Sequence, residues 1–347
     1  NIDIWARLAS SAPGLANLAT QMPFLRDIAK LVAGMPRQRQ IPTFAPQTFR
    51  AWYASRRPKN VGAAPVLLWP DTFNNYFLPD TSQAAVDVLE AAGFEVWLPQ
   101  TGLCCGRPLY DWGMLDRAKS LLLQILDALA PEIEAGIPMV VLEPSCAAVF
   151  RDELIGLFPK DERAQRLARQ TFLLSEFLEK RASHFELPKL PRKAVIHGHC
   201  HHKSVMKMTD EEAILRRMGI DFQAPAPGCC GMAGGFGFEA DKYDVSIDVG
   251  ELELLPAVRK APPESLIIAD GFSCREQIAQ GTDRHALHLA EVIQMALKGE
   301  ALGAYPERAR VLRRVQAMQS SMRKARLGVI ALAAGAGLLW ALAKRKG

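Results

Sequence analysis

The triplet Cys-Cys-Gly occurs twice in this 347-residue chain, within "LCCGRPLY" (103–110) and within "GCCGMAGGFGF" (228–238). Adjacent cysteines are poorly placed to form one disulfide. They are well placed to bring two thiolates to one metal centre, if further ligands arrive from elsewhere. The seven cysteines stand at 104, 105, 146, 200, 229, 230 and 274, an odd number that disfavours a closed set of structural disulfides. Cys104 and Cys229 are 125 positions apart, Cys146 and Cys274 are 128 apart, and a step of 129 back from Cys200 reaches Asp71. Each half therefore reads as a ligand position, about thirty residues, Cys-Cys-Gly, about forty residues, and a last cysteine. In the first half an aspartate stands where the second half has its first cysteine.

The surroundings repeat as well. "APVLLWPD" (64–71) and "KAVIHGHC" (193–200) read as short apolar strands ending at the first ligand position. "FEVWLP" (94–99) and "IDFQAP" (220–225) read as strands ending just before Cys-Cys-Gly, and "PMVVLEPSC" (138–146) and "SLIIADGFSC" (265–274) as strands ending at the last cysteine. Helical patterns fall between them, at 81–92, 112–130 and 147–158, then at 210–218, about 240–259 and 286–298. Thr209 with Glu212 suits a capping box for the first helix of the second half. Apolar strands alternating with helices predict an α/β fold of two pseudo-repeated lobes, each a parallel sheet flanked by helices. Ligand sites in such sheets form beyond the carboxyl ends of the strands, where all the proposed ligands lie.

The net charge of +5 is unevenly distributed. Residues 301–347 hold ten Lys/Arg and one acid, so the preceding 300 residues carry a net −4. That argues against nucleic acid as a partner of the body and towards an anionic membrane surface for the tail. Residues 327–343, "LGVIALAAGAGLLWALA", are 17 residues without a polar side chain, flanked by basic residues. As a helix this stretch reaches about 26 Å, slightly short of a hydrocarbon core of about 30 Å, and snorkelling basic side chains can make up the difference. The expectation is a C-terminal hydrophobic helix spanning the membrane, preceded by a basic helix over 305–326 on the lipid surface. An interfacial or a buried helix is the alternative. The basic excess on the N-terminal side of the stretch puts the body at the cytoplasmic face of the inner membrane. At the other end, an apolar pattern through Ile4, Trp5, Leu8, Leu15, Leu18, Leu25, Ile28, Leu31 and Val32 predicts one or two helices, an arm leading to something upstream. The organisation is then 1–60 helical arm and linker, 61–182 first lobe, 183–300 second lobe, and 301–347 basic helix and tail.

These residues resemble the cysteine-rich "CCG" domain family over about 60–298. The matching segments are "PDTFNNY", "CCGRPL", "PSCAAVFRDE", "HGHCHHKS", "CCGMAGGFGF" and "CREQI". The family includes a component of heterodisulfide reductase, the iron–sulfur subunits of glycolate oxidase and anaerobic glycerol-3-phosphate dehydrogenase, and lactate-utilisation proteins. The chain most resembles the C-terminal part of fused FAD-linked oxidases. Two departures stand out. The family's fuller pattern ends each half in Cys-x-x-Cys, whereas here Ala147, Ala148 and Val149 follow Cys146, and Arg275, Glu276 and Gln277 follow Cys274. Five-cysteine centres cannot be assembled from either half, which counts against heterodisulfide chemistry. No ferredoxin-type run of cysteines is present either, so a ferredoxin-like domain would lie upstream or on a partner.

Cys200, Cys229, Cys230 and Cys274 make the main expected site. Four thiolates suit a [4Fe–4S] cluster, which the resemblance favours, and equally a tetrahedral Zn²⁺. The glycines from Gly231 to Gly237 would let backbone N–H groups approach the sulfurs and raise the potential. They do not form the dinucleotide fingerprint G-x-G-x-x-G. Cys104, Cys105, Cys146 and Asp71 make a second, degenerate site, which holds a labile cluster, another metal, or nothing. At strand spacing His197, His199 and His201 would share one face and Cys200 and His202 the other. His197 and His201, which the resemblance places near the cluster, are expected to tune it without ligating it, and Lys203 to offset thiolate charge. His285 and His288 are read as structural, and Ser145 and Ser273 as backbone-capping residues.

The expected function is an iron–sulfur electron-transfer module. FAD on another domain or subunit would take a hydride from a 2-hydroxy acid such as D-lactate or glycolate, a donor that the resemblance alone implies. Electrons would reach a membrane quinone or cytochrome through the second-lobe centre. The rivals are a thiol–disulfide reductase with a site-differentiated cluster and a zinc-stabilised scaffold that docks a flavoprotein.

Overall fold

The computed structural model describes residues 2–225 and 228–344, and in its last helix the side chains of residues 333 and 335–344 are not described. Strands β1 (Pro65–Trp69), β2 (Glu95–Trp97), β3 (Met139–Val141) and β4 (Thr171–Leu173) form one sheet in the order β2-β1-β3-β4. Strands β5 (Lys193–Ile196), β6 (Asp221–Gln223) and β7 (Leu266–Ile268) form a second in the order β6-β5-β7. Every pairing is parallel, with Val66 opposite Val96 and Leu67 opposite Met139 in the first sheet, and Ala194 opposite Phe222 and Leu266 in the second.

Both faces of these strands are covered. Val66, Leu68 and Val140 of the first sheet join Ala194, Ile196 and Leu266 of the second in one core common to both halves. Leu67, Trp69 and Val141 face a separate core on the outer side of the first sheet, and Val195 and Ile267 do the same in the second. Burial on two sides is why the strands read as continuous apolar runs and not as alternations.

The repeat extends one element further than the cysteine spacing shows. In "LLSEFL" (173–178) the Leu173 N–H donates to Glu176 Oε2 at 2.9 Å, opening helix Leu174–Arg181 after β4. In "HLAEVI" (288–293) the His288 N–H donates to Glu291 Oε2 at 2.9 Å, opening helix Leu289–Leu297. There the counterpart of β4 has shrunk to a single parallel bridge between Ile268 and Leu287. The two final helices cross over. Leu289–Leu297 packs on helix Pro79–Ala91 of the first half, and Leu174–Arg181 packs on helix Thr209–Arg217 of the second. This exchange merges the two halves around their common core.

Several local expectations need correction. Thr209 and Glu212 make no capping box: Met208 is the N-cap, no side chain caps the helix, and Glu212 pairs with Arg216 at 2.8 Å. Lys207, held at φ 71°, reverses the chain just before, so Thr209 is already helical and its hydroxyl cannot reach back. Strand alternation does not run through "HGHCHHKS", because β5 ends at Ile196 and a wide π-helical turn follows, His202–Met206. Ser145 and Ser273 do not cap. Glu143 accepts from the Ser145 N–H in the first case, and Gly271 is the N-cap in the second.

Three helices, Ile2–Ala9, Pro13–Gln21 and Pro23–Val32, form the N-terminal arm. The second packs on the long C-terminal helix Arg308–Lys344, which runs without a break through the expected basic and apolar segments. Gly14 permits this close approach, since a Cβ there would stand 2.6 Å from the Ser321 carbonyl oxygen. Among the described residues no helix is long and apolar enough to cross a membrane, and much of the 327–343 stretch lies outside the described side chains.

Candidate metal centre

All seven cysteines follow the carboxyl ends of strands. Cys200, Cys229/Cys230 and Cys274 come after β5, β6 and β7, while Cys104/Cys105 and Cys146 come after β2 and β3. Parallel strands end at one edge, so residues distant in sequence meet there.

In the second lobe the four thiols come together as neighbours along a chain, Cys200 beside Cys229, Cys229 beside Cys230 and Cys230 beside Cys274. The backbone N–H of Gly231 donates to Cys229 Sγ at 3.3 Å. The neighbouring Cys200 and Cys230, with the Gly231 N–H, hold the Cys229 thiol well below its usual range despite burial. Cys274 is also depressed, by the neighbouring Cys230 and then by the nearby His197. Cys200 and Cys230 are raised. The Gly231 N–H on Cys229 Sγ favours the thiolate, the form a metal takes.

Gly231 could be no other residue. Its φ is +86°, and a Cβ would lie 2.0 Å from the Ser246 carbonyl oxygen. Lys203 Nζ donates to the Gly228 carbonyl at 2.6 Å, and its charge favours the Cys200 thiolate. His197 is buried, and its Nε2 has no hydrogen-bond partner among the described residues. His201 stacks on His199 with ring centroids 5.2 Å apart. Its pKa is lowered to about 4 by burial and by the nearby Arg107 and His199, so it is neutral at pH 7.

The first lobe is arranged differently. Cys105 Sγ and Cys146 Sγ are 3.0 Å apart, and Cys104 contacts Cys105. Asp71 caps helix Thr72–Tyr76: Oδ1 accepts from the N–H groups of Phe73 and Asn74, both at 3.0 Å, and Oδ2 accepts from Asn74 Nδ2 at 2.8 Å. Both its oxygens are thus engaged within its own helix. Burial, then Glu143, push the Asp71 carboxyl up to about 6. Donation to Cys105 and burial hold Cys104 well above its usual range. Cys105, despite the bond from Cys104, is raised by its donation to Cys146 and by burial. Cys146, despite the bond from Cys105, is pushed up to about 12 by burial and by Asp71 and Glu143. No sulfur of this group is favoured as a thiolate.

Three residues outside the cysteine pattern organise these sites. Glu143 ties the last cysteines of the two lobes together. Its Oε1 accepts from the Ser145 hydroxyl at 2.9 Å, and its Oε2 accepts from the Phe272 N–H at 2.8 Å, at the start of the helix that carries Cys274. Arg275 crosses the other way, donating to Thr81 Oγ1 and to Asn74 Oδ1 at 3.0 Å each. Arg39 of the arm, 1% exposed, donates to the Gly237 carbonyl and to Ser246 Oγ at 2.8 Å each, and so secures the glycine-rich loop. An acid directly before Pro-Ser-Cys at a strand end was a readable signal for Glu143. For Arg39 and Arg275 the sequence offers none.

The donor set of the second lobe fits a thiolate-bound metal group, given four convergent thiols, two of them depressed, and an N–H aimed at a sulfur. That of the first lobe offers three raised thiols and an aspartate whose oxygens are occupied.

Comparison with known proteins bears on the family. Residues 72–151 match the family described as the cysteine-rich CCG domain. The chain is 25% identical over 300 residues to one of the subunits of anaerobic glycerol-3-phosphate dehydrogenase of Escherichia coli, covering 85% of this chain and 75% of that one. It is 26% identical over 230 residues to D-2-hydroxyglutarate dehydrogenase of Pseudomonas putida, covering 66% of this chain but only 22% of that one. It is 30% identical over 233 residues to lactate utilization protein A of Bacillus velezensis, covering 62% of this chain and 93% of that one. With strands that end in a duplicated Cys-Cys-Gly, and with nearly the whole of a relative matched at that level, the chain belongs to the CCG cysteine-rich domain family.

Proposed function

We propose that the chain is the iron–sulfur electron-transfer component of a flavin-linked dehydrogenase. The observation that carries this reading is the meeting of Cys200, Cys229, Cys230 and Cys274 from three strand ends, with Gly231 N–H on Cys229. A [4Fe–4S] cluster held there supplies one-electron uptake and release. The residues around it set its electrostatics. Gly231 N–H and the Lys203 ammonium favour negative charge on Cys229 and Cys200, and His197 does so at Cys274, which together raise a potential. Substrate oxidation belongs to FAD on a flavoprotein domain or subunit.

The names of the relatives share one chemistry. Lactate, 2-hydroxyglutarate and glycerol 3-phosphate are small anions with a secondary alcohol, whose oxidation to a carbonyl yields two electrons. A flavin accepts the pair and passes the electrons on singly, so a one-electron relay downstream suits this donor class. We place the acceptor, a quinone or cytochrome, at the membrane. The exposed apolar side chains of Leu327, Val329, Ile330 and Leu332, following a basic stretch of the same helix, support that placement. If it is right, deleting 327–347 releases the protein from membranes, and continued sedimentation with them rejects it.

A zinc-stabilised scaffold is the second reading. The same four thiolates suit one tetrahedral ion with sulfur about 2.3 Å away. Anaerobic purification decides between the two. Iron and sulfide near four each per chain, with visible absorption, support the electron-transfer reading. Stoichiometric zinc without colour rejects it.

A further inference from the structure

Behind the Cys200 segment lies a group of side chains that the thiol centre does not use. His202, Glu211 and Asp270 are 1%, 2% and 5% exposed. One ligand atom from each lies within 4.8 Å of the others. His202 Nδ1 stands 3.3 Å from Glu211 Oε2, yet the pair lacks hydrogen-bond geometry. Both ring nitrogens of His202, and Glu211 Oε2, have no hydrogen-bond partner among the described residues. Unpaired polar atoms this deeply buried are costly unless something joins them.

No cationic side chain is among the groups acting on Glu211. Asp270 and Glu212 are the charges acting on it, and both oppose its ionisation. His288 approaches Asp270 at 3.5 Å but brings no charge. Its Nδ1 accepts the Ala290 N–H at 3.0 Å and its Nε2 faces the Leu142 carbonyl at 3.1 Å, so the ring is the neutral Nε2–H tautomer. Asp270 Oδ1 accepts the Leu289 N–H at 2.8 Å, which leaves Oδ2 for another partner.

We infer that His202, Glu211 and Asp270 form a binding site for a divalent transition-metal ion of the zinc type, separate from the cysteines. One imidazole nitrogen and two carboxylate oxygens match the borderline ligand preference of such ions. The imidazole argues against Ca²⁺ and Mg²⁺, which take oxygen ligands. The ion would connect three segments: the turn two residues after Cys200, helix Thr209–Arg217, and the loop four residues before Cys274. It would thus brace two of the stretches that deliver the thiols. The inference holds whether the thiols carry iron or zinc.

The test uses the full chain with Cys104→Ser and Cys105→Ser, so that the first-lobe thiols do not compete, and with the second-lobe centre reconstituted with iron and sulfide. Co²⁺ is added and the excess removed. The expected result is about one Co²⁺ retained per chain, with nitrogen and oxygen neighbours and no sulfur by X-ray absorption. Glu211→Gln should weaken Co²⁺ binding at least about tenfold while iron and sulfide content stays unchanged. Failure to retain Co²⁺, sulfur in its first coordination sphere, or unchanged binding in Glu211→Gln overturns the site. If Glu211→Gln does not fold, Asp270→Asn replaces it, and the absorption spectrum of the parent protein decides alone. Iron and sulfide content reports on the thiol centre independently.

Discussion

At Gly106 and Gly231 the chain makes the same left-handed turn after the same pair of cysteines, with φ of 76° and 86°. The chemistry around the two turns differs. In the second lobe a fourth thiol and a histidine join the pair and two of the sulfurs are depressed, while the N–H of the following glycine acts on a sulfur in both lobes. In the first lobe the fourth position is a carboxylate occupied with capping its own helix, and all three sulfurs are held as thiols. A duplicated backbone can thus keep its turn while the proton affinities of the cysteines beside it differ. The lesson is that ligand count and proton affinity diverged together.

The largest expected difference is in metal content. Cys229→Ser should remove essentially all iron and visible absorption, whereas Cys104→Ser should leave both near the parent level. Equal losses in the two variants would erase the distinction between the lobes. Next comes the turn itself. Gly231→Ala meets both positive φ and the Ser246 carbonyl oxygen 2.0 Å away, and should cost about 3 kcal/mol or more in denaturant unfolding. At Gly106 the nearest atom to a Cβ is the side-chain Cδ1 of Leu121 at 3.3 Å, and Gly106→Ala should cost about 1–2 kcal/mol. Reversal of that order would mean that the first turn is the more tightly constrained.

The smallest effect concerns Asp71. Its carboxyl sits near 6 in the fold against 3.8 unperturbed, so the fold favours its protonated form. That contribution is fully present below pH 3.8 and is lost as the pH rises to about 6. Relative to Asp71→Asn, the parent should therefore lose on the order of 2 kcal/mol between those limits, measured as unfolding free energy against pH. A difference independent of pH would place the carboxylate in a polar environment and reopen it as a ligand.

Much of this comparison is visible in the letters of the chain. The spacing of the cysteines, the apolar runs before them and the Asp71 substitution already separate a four-thiol lobe from a three-thiol one. Strand positions are legible because apolar residues buried on both faces leave an unbroken signature, as in "VLLW" and "LII". β4, the bridge at Leu287 and the exchange of final helices are not legible, because short apolar runs do not reveal their partners. Thr209 misled for a related reason: a capping pattern acts only if the backbone before it is extended, and Lys207 turns it away.

The chain's letters alone determine which atoms are available: four sulfurs in one repeat, three and a carboxylate in the other, with glycine after each pair. Only the tertiary structure decides what those atoms are free to do. Asp71 is committed to its helix, Glu143 joins the lobes, and His202, Glu211 and Asp270 face one another behind the cysteines. The physical reason is that ligand identity is a property of residues. Proton affinity, burial and hydrogen-bond satisfaction, by contrast, depend on neighbours that the fold supplies, some more than a hundred positions away in the chain, as Phe272 is from Glu143.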